Sequence, residues 1–423
     1  MHQDLAISKE LSKTEGTAIL EISLKKGKID HVHIRVSENK RFIKEAVEGK
    51  SVFELPSIVS RICGTCSSAH LICGLEAIEK ALGITPSEQT ITLRKLLMYG
   101  SILRDHALHL YFFSLPDYLG IESILDAKNK KILKQAFEVK KAGNLLASLV
   151  GGRAVHAPFP VVGGFVKYPE KEDIKNVVNQ LKKSREEIFP LLDLLKEKVF
   201  ERDPNFVCLK TPDFSFLEGV LVSSEGLLAE EKDFSKYLSE VVIPYSQSES
   251  YLWNGKEYMV GALARFNLNK DNLNKKTKED CKEYLRNFPS KNIFDNNLAQ
   301  AIEMLHCIDA SIEILETQEF LRELPKKPEK LSGTGVGVIE APRGTLYYQV
   351  NIVSGKVAWL DLVIPTSQNL IKMENDIHFY LENLDPSSFK KEKILKTSEE
   401  IIRAYDPCFS CASHFLKLKI RKI

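Results

Sequence analysis

The sequence is short of the features that place a chain in a compartment or class at a glance. It has no apolar run near the roughly 18 residues needed to cross a bilayer, and its opening "MHQDLAISKELSKTEG" lacks the apolar stretch of a secretory signal. We therefore expect a cytoplasmic protein without a membrane span. Neither sign of charge is in excess: a net charge of +2 over 423 residues gives no reason to expect nucleic acid or an anionic membrane as partner. The lysine-rich pieces "KNKKILKQ" and "NKKTKED" read as solvated faces. Eight cysteines are too few for a disulfide scaffold. There is no internal repeat, no low-complexity segment and no dinucleotide fingerprint, since "SGTGVG" follows a proline-rich stretch with no βαβ unit around it. What remains, at 43% hydrophobic and 27% charged residues, is an ordinary globular composition with ample length for a sizeable core.

The pattern along the chain predicts an α+β protein with a mainly helical core and small β elements at both ends. "TAILEISL" and "HVHIRV" alternate in the strand manner around "KKGKID" and predict a hairpin within residues 1–50. Helical spacing of apolar residues then runs through "TLRKLLMYGSILRDHALHLYFFSL", stopping at Pro116. It recurs in "KILKQAFEVKKAGNLLASLV", in "DIKNVVNQLKKSREEIFPLLDLLKEKVF" with a break at Pro190, and in "NNLAQAIEMLHCIDASIEILETQEFLREL". This gives a helical core over 51–325. "LPKKPEKLSGTGVG", with two prolines and then three glycines, reads as a linker. A second hairpin, "GTLYYQVNIVSGKVAWLDLVI", and a metal-site segment complete 326–414, all within one large domain.

The cysteines are placed more tellingly than their number suggests. Cys63 and Cys66 form one C-x-x-C pair, Cys408 and Cys411 another, 345 residues away, and each pair has a histidine shortly after it. Cys73, Cys208, Cys281 and Cys307 are scattered and read as small buried hydrophobes. Three chemistries suit two such pairs. A structural four-cysteine zinc is one, although zinc ribbons place their pairs roughly 15–20 residues apart. A thioredoxin-like redox pair accounts for one motif only, and neither follows a strand in a βαβ unit. The third is a soft-metal centre in which two thiolates bridge two metals and two are terminal.

"RICGTCSSAH" resembles the N-terminal R-x-C-G-x-C-x-x-x-H motif of nickel-iron hydrogenase large subunits, and "DPCFSCASH" resembles their C-terminal D-P-C-x-x-C-x-x-H motif. "RDHALHLYFFSLPDYLG", "GGRAVHAPFPVVGGF", "NNLAQAIEML", "EAPRGTLYY" and "IPTSQN" resemble family segments in the family's order, so the resemblance covers essentially the whole chain. The segments look most like the α subunit of the cytoplasmic, pyridine-nucleotide-linked sulfhydrogenase type.

The resemblance implies reversible heterolytic cleavage of H2. Cys63 and Cys408 would be terminal nickel ligands, and Cys66 and Cys411 would bridge nickel to an iron that carries carbon monoxide and cyanide. Glu15, in "KTEG" where the family has R-x-E-G, matches the proton-relay glutamate; by itself it reads as a solvated carboxylate at a strand edge. Arg343 in "EAPRG" would lie over the metals, and Pro365 and Thr366 would contact the cyanides, Thr366 with a hydroxyl donor. His70 would donate to a bridging sulfur, and Arg153 and His156 would brace the site or a partner interface. His106 and His109 share a helix face at a spacing zinc could use, yet with Asp105 they read as packing and hydrogen-bonding groups. His414 would bind a magnesium ion together with a glutamate, but Lys44 stands at the glutamate's place and Glu45 one residue later.

The chain has no spare cysteine cluster for an iron-sulfur centre. An iron-sulfur small subunit is therefore expected as partner, with flavin and further iron-sulfur subunits reaching NAD(P). The tail 415–423 resembles the extension that a maturation protease removes after His414. Two other readings stand beside this one: a quinone-site subunit like that of respiratory complex I, which shares the fold without nickel, and a zinc-stabilised scaffold.

Overall fold

The computed structural model describes residues 5–413, apart from 27, 40–41, 129 and 385–389. Long helices carry the core and the sheets are small, so the α+β expectation holds. The N-terminal hairpin proves to be a three-stranded antiparallel sheet, Leu5–Glu10, Ala18–Lys25 and Lys28–Val36. Burial along Ala18–Lys25 alternates strictly, since successive side chains of a strand face opposite sides. The first strand is short and mostly exposed, which hides it in the sequence.

The C-terminal hairpin is likewise three-stranded: Gly333–Ala341, Gly344–Val353 and Lys356–Val363. Its first strand begins in the segment read as a linker. Gly333, Gly335 and Gly337 share one face of that strand, and the face lies flat on the Ser67–Leu82 helix. A Cβ on Gly335 would stand 2.1 Å from the Ala77 carbonyl oxygen, and one on Gly337 2.4 Å from that of Cys73. The glycines permit backbone-to-backbone contact; composition alone reads them as flexibility.

The region expected as a helical core, 51–325, also holds a four-stranded sheet ordered Tyr258–Met259, Asn205–Lys210, Val220–Ser223, Leu228–Ala229. Strands of two to six residues are too short for alternation to reveal them. The helical readings fare better. Glu88–Leu108 begins at Ser87, whose hydroxyl accepts the Thr90 N–H at 3.1 Å. It packs on Lys130–Gly151 and Asp295–Thr317. Its chain does not end at Pro116 but runs through a π-helical turn, His109–Ser114, into Leu115–Leu119, which takes the proline in its first turn. Pro190 does the same for Phe189–Leu194 after Lys171–Glu186 ends. Among the described residues no helix is long and apolar enough to cross a membrane.

His306, buried on the Asp295–Thr317 helix, ties two loops to it. Its Nε2–H donates to the Phe214 carbonyl at 3.0 Å and its Nδ1 accepts the Asn274 N–H at 3.0 Å. Burial holds it neutral down to about pH 4. The unfolded chain takes up this proton near pH 6.5, so the neutral imidazole's contribution, about 3 kcal/mol, is complete above pH 6.5 and is lost as pH falls to 4. The stability gap between the wild type and His306→Gln, read from urea unfolding, should shrink across that interval. A gap constant from pH 7 to 4.5 would contradict the assignment.

Candidate metal centre

The two C-x-x-C pairs meet. The four sulfurs of Cys63, Cys66, Cys408 and Cys411 all lie within 4.8 Å of one another and are the only metal-ligand cluster among the described residues. Cys66 and Cys411 are 3.0 Å apart, Cys408 and Cys411 3.1 Å, and Cys63 and Cys408 3.6 Å. All four side chains are buried, at 1–5% exposure. Cys66 stands at the N-terminus of the Ser67–Leu82 helix, and Pro365 and Thr366 open the Pro365–Glu382 helix. The positive dipole ends of two helices therefore lie at the sulfurs, which favours thiolates.

Local backbone chemistry seats each motif. Asp406 adopts φ +52, a left-handed conformation that aspartate tolerates, and turns the chain into Pro407–Cys408. Glu15 forms a parallel β-bridge with Cys408, its carbonyl accepting the Phe409 N–H at 2.7 Å. Gly16 makes this possible: its φ is +81, and a Cβ there would stand 2.4 Å from the Ser410 nitrogen. The Glu15 backbone thus lies beside the C-terminal pair, and burial, followed by the charge on Cys63, raises the pKa of its carboxyl.

Electrostatics explain why such a cluster requires cations. Burial pushes the Cys408 and Cys411 thiols up, and hydrogen bonding to Cys408 pushes Cys66 up; hydrogen bonds from Cys408, Cys411 and Cys66 hold Cys63 down. A buried site can keep one such sulfur ionised on hydrogen bonds, whereas four ionised together need compensating charge. Part of it is built in. Arg343 is fully buried, its Nη1 donating to Asp105 Oδ2 at 2.9 Å while its Nη2 pairs with Asp406 Oδ1 at 3.1 Å. It lines, with Cys66, Cys408, Cys411, His70 and Thr366, a cavity of about 10 Å³, close to the room one water requires.

The remaining expected residues can now be located. His70 has its Nε2 3.6 Å from Cys411 Sγ and its Nδ1 2.7 Å from the Tyr348 hydroxyl. Thr366 Oγ1 accepts the Cys408 N–H at 2.8 Å, which leaves its own hydroxyl hydrogen to be donated elsewhere. Arg153 donates to the His156 carbonyl, and His156 contacts Ser60 and Ser67 on either side of the first cysteine pair. His106 and His109 lie outside the cluster: His106 pairs with Glu303 at 2.8 Å, and His109 bridges Gln300 and the Arg403 carbonyl. Cys73, Cys208, Cys281 and Cys307 are buried singly, with thiols pushed up by burial.

His414 and the tail lie outside the described residues. Lys44 points its ammonium at Asp361 Oδ1, 2.6 Å away, and Glu45 faces solvent. Sequence reasoning missed Asp406 and Tyr348 as supports; Asp406 stands inside the D-P-C motif and Tyr348 inside "EAPRGTLYY", so both were within view.

Comparison with known proteins agrees with this geometry. The chain matches the nickel-dependent hydrogenase family over residues 41–147 and 228–414. It belongs to that family. It is 33% identical to the alpha chain of sulfhydrogenase 1 of Pyrococcus furiosus over 425 residues, spanning 96% of this chain and 97% of the relative. It is 31% identical to the alpha chain of sulfhydrogenase 2 of the same organism, spanning 97% and 98%. Its fold matches an NAD+-reducing [NiFe]-hydrogenase in the H2-reduced state with TM-score 0.83 at 23% identity, covering 97% of this chain and 99% of that one. This hydrogenase chain is therefore a nickel-iron large subunit, and its cluster of four cysteines fits a nickel-iron centre.

Arg343→Leu would leave Asp105 and Asp406 buried without their counter-charge. Removing one partner of a buried pair costs about 3–5 kcal/mol, so the variant's chemical unfolding midpoint should drop sharply, and Arg343→Lys should drop less. An unchanged midpoint for Arg343→Leu would contradict the pairing.

Proposed function

We propose that the four cysteines would hold nickel and an iron bearing carbon monoxide and cyanide, with Cys63 and Cys408 serving nickel alone and Cys66 and Cys411 serving both metals. The family match and the meeting of all four sulfurs within 4.8 Å support a shared site, and the division between them follows the family motifs that the two pairs resemble. When bound, the metal pair supplies the redox-active Lewis-acid centre at which H2 is split heterolytically. The chain's own residues handle the proton and the charge. Cys408 takes the proton on its sulfur, and Glu15 carries it away. Two observations support Glu15: its backbone is bridged to Cys408, and burial raises the pKa of its carboxyl.

Arg343 presents a permanent positive charge to the cavity, and its Nε makes no hydrogen bond of its own, leaving a donor for the reacting centre. Thr366 offers its free hydroxyl hydrogen, and Pro365 its apolar ring, to the iron's cyanide ligands. Tyr348 donates to His70 Nδ1, which sets the tautomer in which His70 Nε2–H faces Cys411. A magnesium ion at His414 would take its carboxylate from Glu45, since Lys44 is paired with Asp361.

Electrons must leave through a partner, since the described residues contain no second ligand cluster. We assign that role to an iron-sulfur small subunit, with flavin and iron-sulfur subunits continuing to NAD(P) in the cytoplasm. The similarity to the alpha chains of two sulfhydrogenases and to the fold of an NAD+-reducing hydrogenase favours this chain of carriers. The family match stops at residue 414, which favours removal of residues 415–423 by a maturation protease.

The observation that carries the reading is the meeting of four buried thiols from the two ends of the chain. Glu15→Gln in the assembled enzyme should lower H2-dependent acceptor reduction by about 10²–10⁴-fold while nickel content stays at the wild-type level; undiminished turnover would remove Glu15 from the proton path. A Cys408→Ser enzyme with full hydrogen uptake would contradict the ligand assignment itself.

A further inference from the structure

The first cysteine pair is gripped by a side chain that belongs to neither cysteine motif. Arg104 lies on the Glu88–Leu108 helix, immediately before Asp105, and is 6% exposed. Its Nη2 donates to the Gly64 carbonyl at 3.2 Å and to the Thr65 carbonyl. Gly64 and Thr65 are the two residues between Cys63 and Cys66, and the Thr65 hydroxyl in turn lies 2.9 Å from Cys63 Sγ.

The base of this side chain is fixed as firmly as its tip. A Cβ on Gly143 would stand 2.6 Å from the Arg104 nitrogen and 2.9 Å from its Cα, and one on Gly100 would stand 2.6 Å from the Ala147 nitrogen. Two glycines thus let the Lys130–Gly151 helix lie directly on the backbone at Arg104. The guanidinium spans from this rigid helix pair to the carbonyls of a four-residue loop that holds half of the metal ligands. Hydrogen bonds from an always-charged donor are about twice as strong as neutral ones, and carbonyls stripped of a buried partner bear their full desolvation cost.

We propose that Arg104 is a positioning residue that fixes the Cys63–Cys66 loop, and through Thr65 the Cys63 sulfur, in the geometry that retains nickel. The proposal rests on the hydrogenase reading above. It assigns to the first residue of "RDHALH" a task separate from its neighbours: Asp105 holds Arg343, His106 meets Glu303, and Arg104 holds the ligand loop.

The test uses the assembled, nickel-loaded enzyme carrying Arg104→Gln, Arg104→Lys or Lys140→Gln. Lys140 is close enough to Arg104 for their charges to repel, so its replacement removes a neighbouring charge and leaves the loop's hydrogen bonds in place. The readouts are the rate of nickel loss to a chelator and the nickel paramagnetic resonance spectrum. Loss of a group that orients metal ligands typically costs 10–100-fold in affinity. Arg104→Gln should therefore release nickel at least about tenfold faster and with an altered spectrum, Arg104→Lys should fall between it and the wild type, and Lys140→Gln should match the wild type. If Arg104→Gln fails to assemble, Arg104→Lys decides, and nickel release at the wild-type rate overturns the proposal. It is equally overturned if Lys140→Gln reproduces the effect of Arg104→Gln, since charge alone would then suffice. A wild-type enzyme that contains no nickel would instead overturn the hydrogenase reading.

Discussion

Four cysteine sulfurs confined within 4.8 Å, and shielded from water, set the terms for the rest of this molecule. Ionised thiolates at that spacing repel one another strongly in a low-dielectric interior. They also come in pairs from opposite ends of the chain, so the loop closed by their meeting spans nearly the whole fold. The cluster therefore needs positive charge from bound metal, and a scaffold stiff enough to hold two distant segments in register before that charge arrives.

The scaffold meets the second demand with backbone contacts and the first with buried cations and dipoles. Glycines at 16, 100, 143, 335 and 337 stand where any side chain would collide with a neighbouring backbone, and they draw the KTEG segment, the core helices and the C-terminal sheet to contact distance. Helix N-termini at Cys66 and at Pro365 direct positive ends toward the sulfurs. Arg343 adds a full charge, and Asp105 and Asp406 orient it and keep its own burial tolerable. The same carboxylates tie the Glu88–Leu108 helix and the D-P-C turn to the segment that carries Arg343, so charge balance and positioning are served by the same contacts.

The metal ligands were legible because C-x-x-C with a following histidine is a local pattern repeated at both ends. The long helices were legible because 3.6-residue spacing persists over many turns. What escaped was set by contacts between distant residues. The G-x-G-x-G stripe at 333–337 has a linker's composition, and its purpose appears only with the Ser67–Leu82 helix beneath it. The sheet assembled from Asn205–Lys210, Val220–Ser223, Leu228–Ala229 and Tyr258–Met259 uses strands too brief for periodicity to mark. Asp105 and Asp406 are 301 positions apart by number yet hold one guanidinium from two sides. Lys44 could be seen to depart from the resemblance, but only its pairing with Asp361 explains how the lysine is accommodated.

What the four thiolates bind tests the assignment of these cysteines as the ligands of nickel and iron. Elemental analysis of the purified, assembled enzyme, with the small subunit's iron-sulfur content subtracted, reads this directly. We predict one nickel and one additional iron for each copy of this chain, both lost from a Cys66→Ser variant. One zinc per chain with no nickel would contradict that prediction.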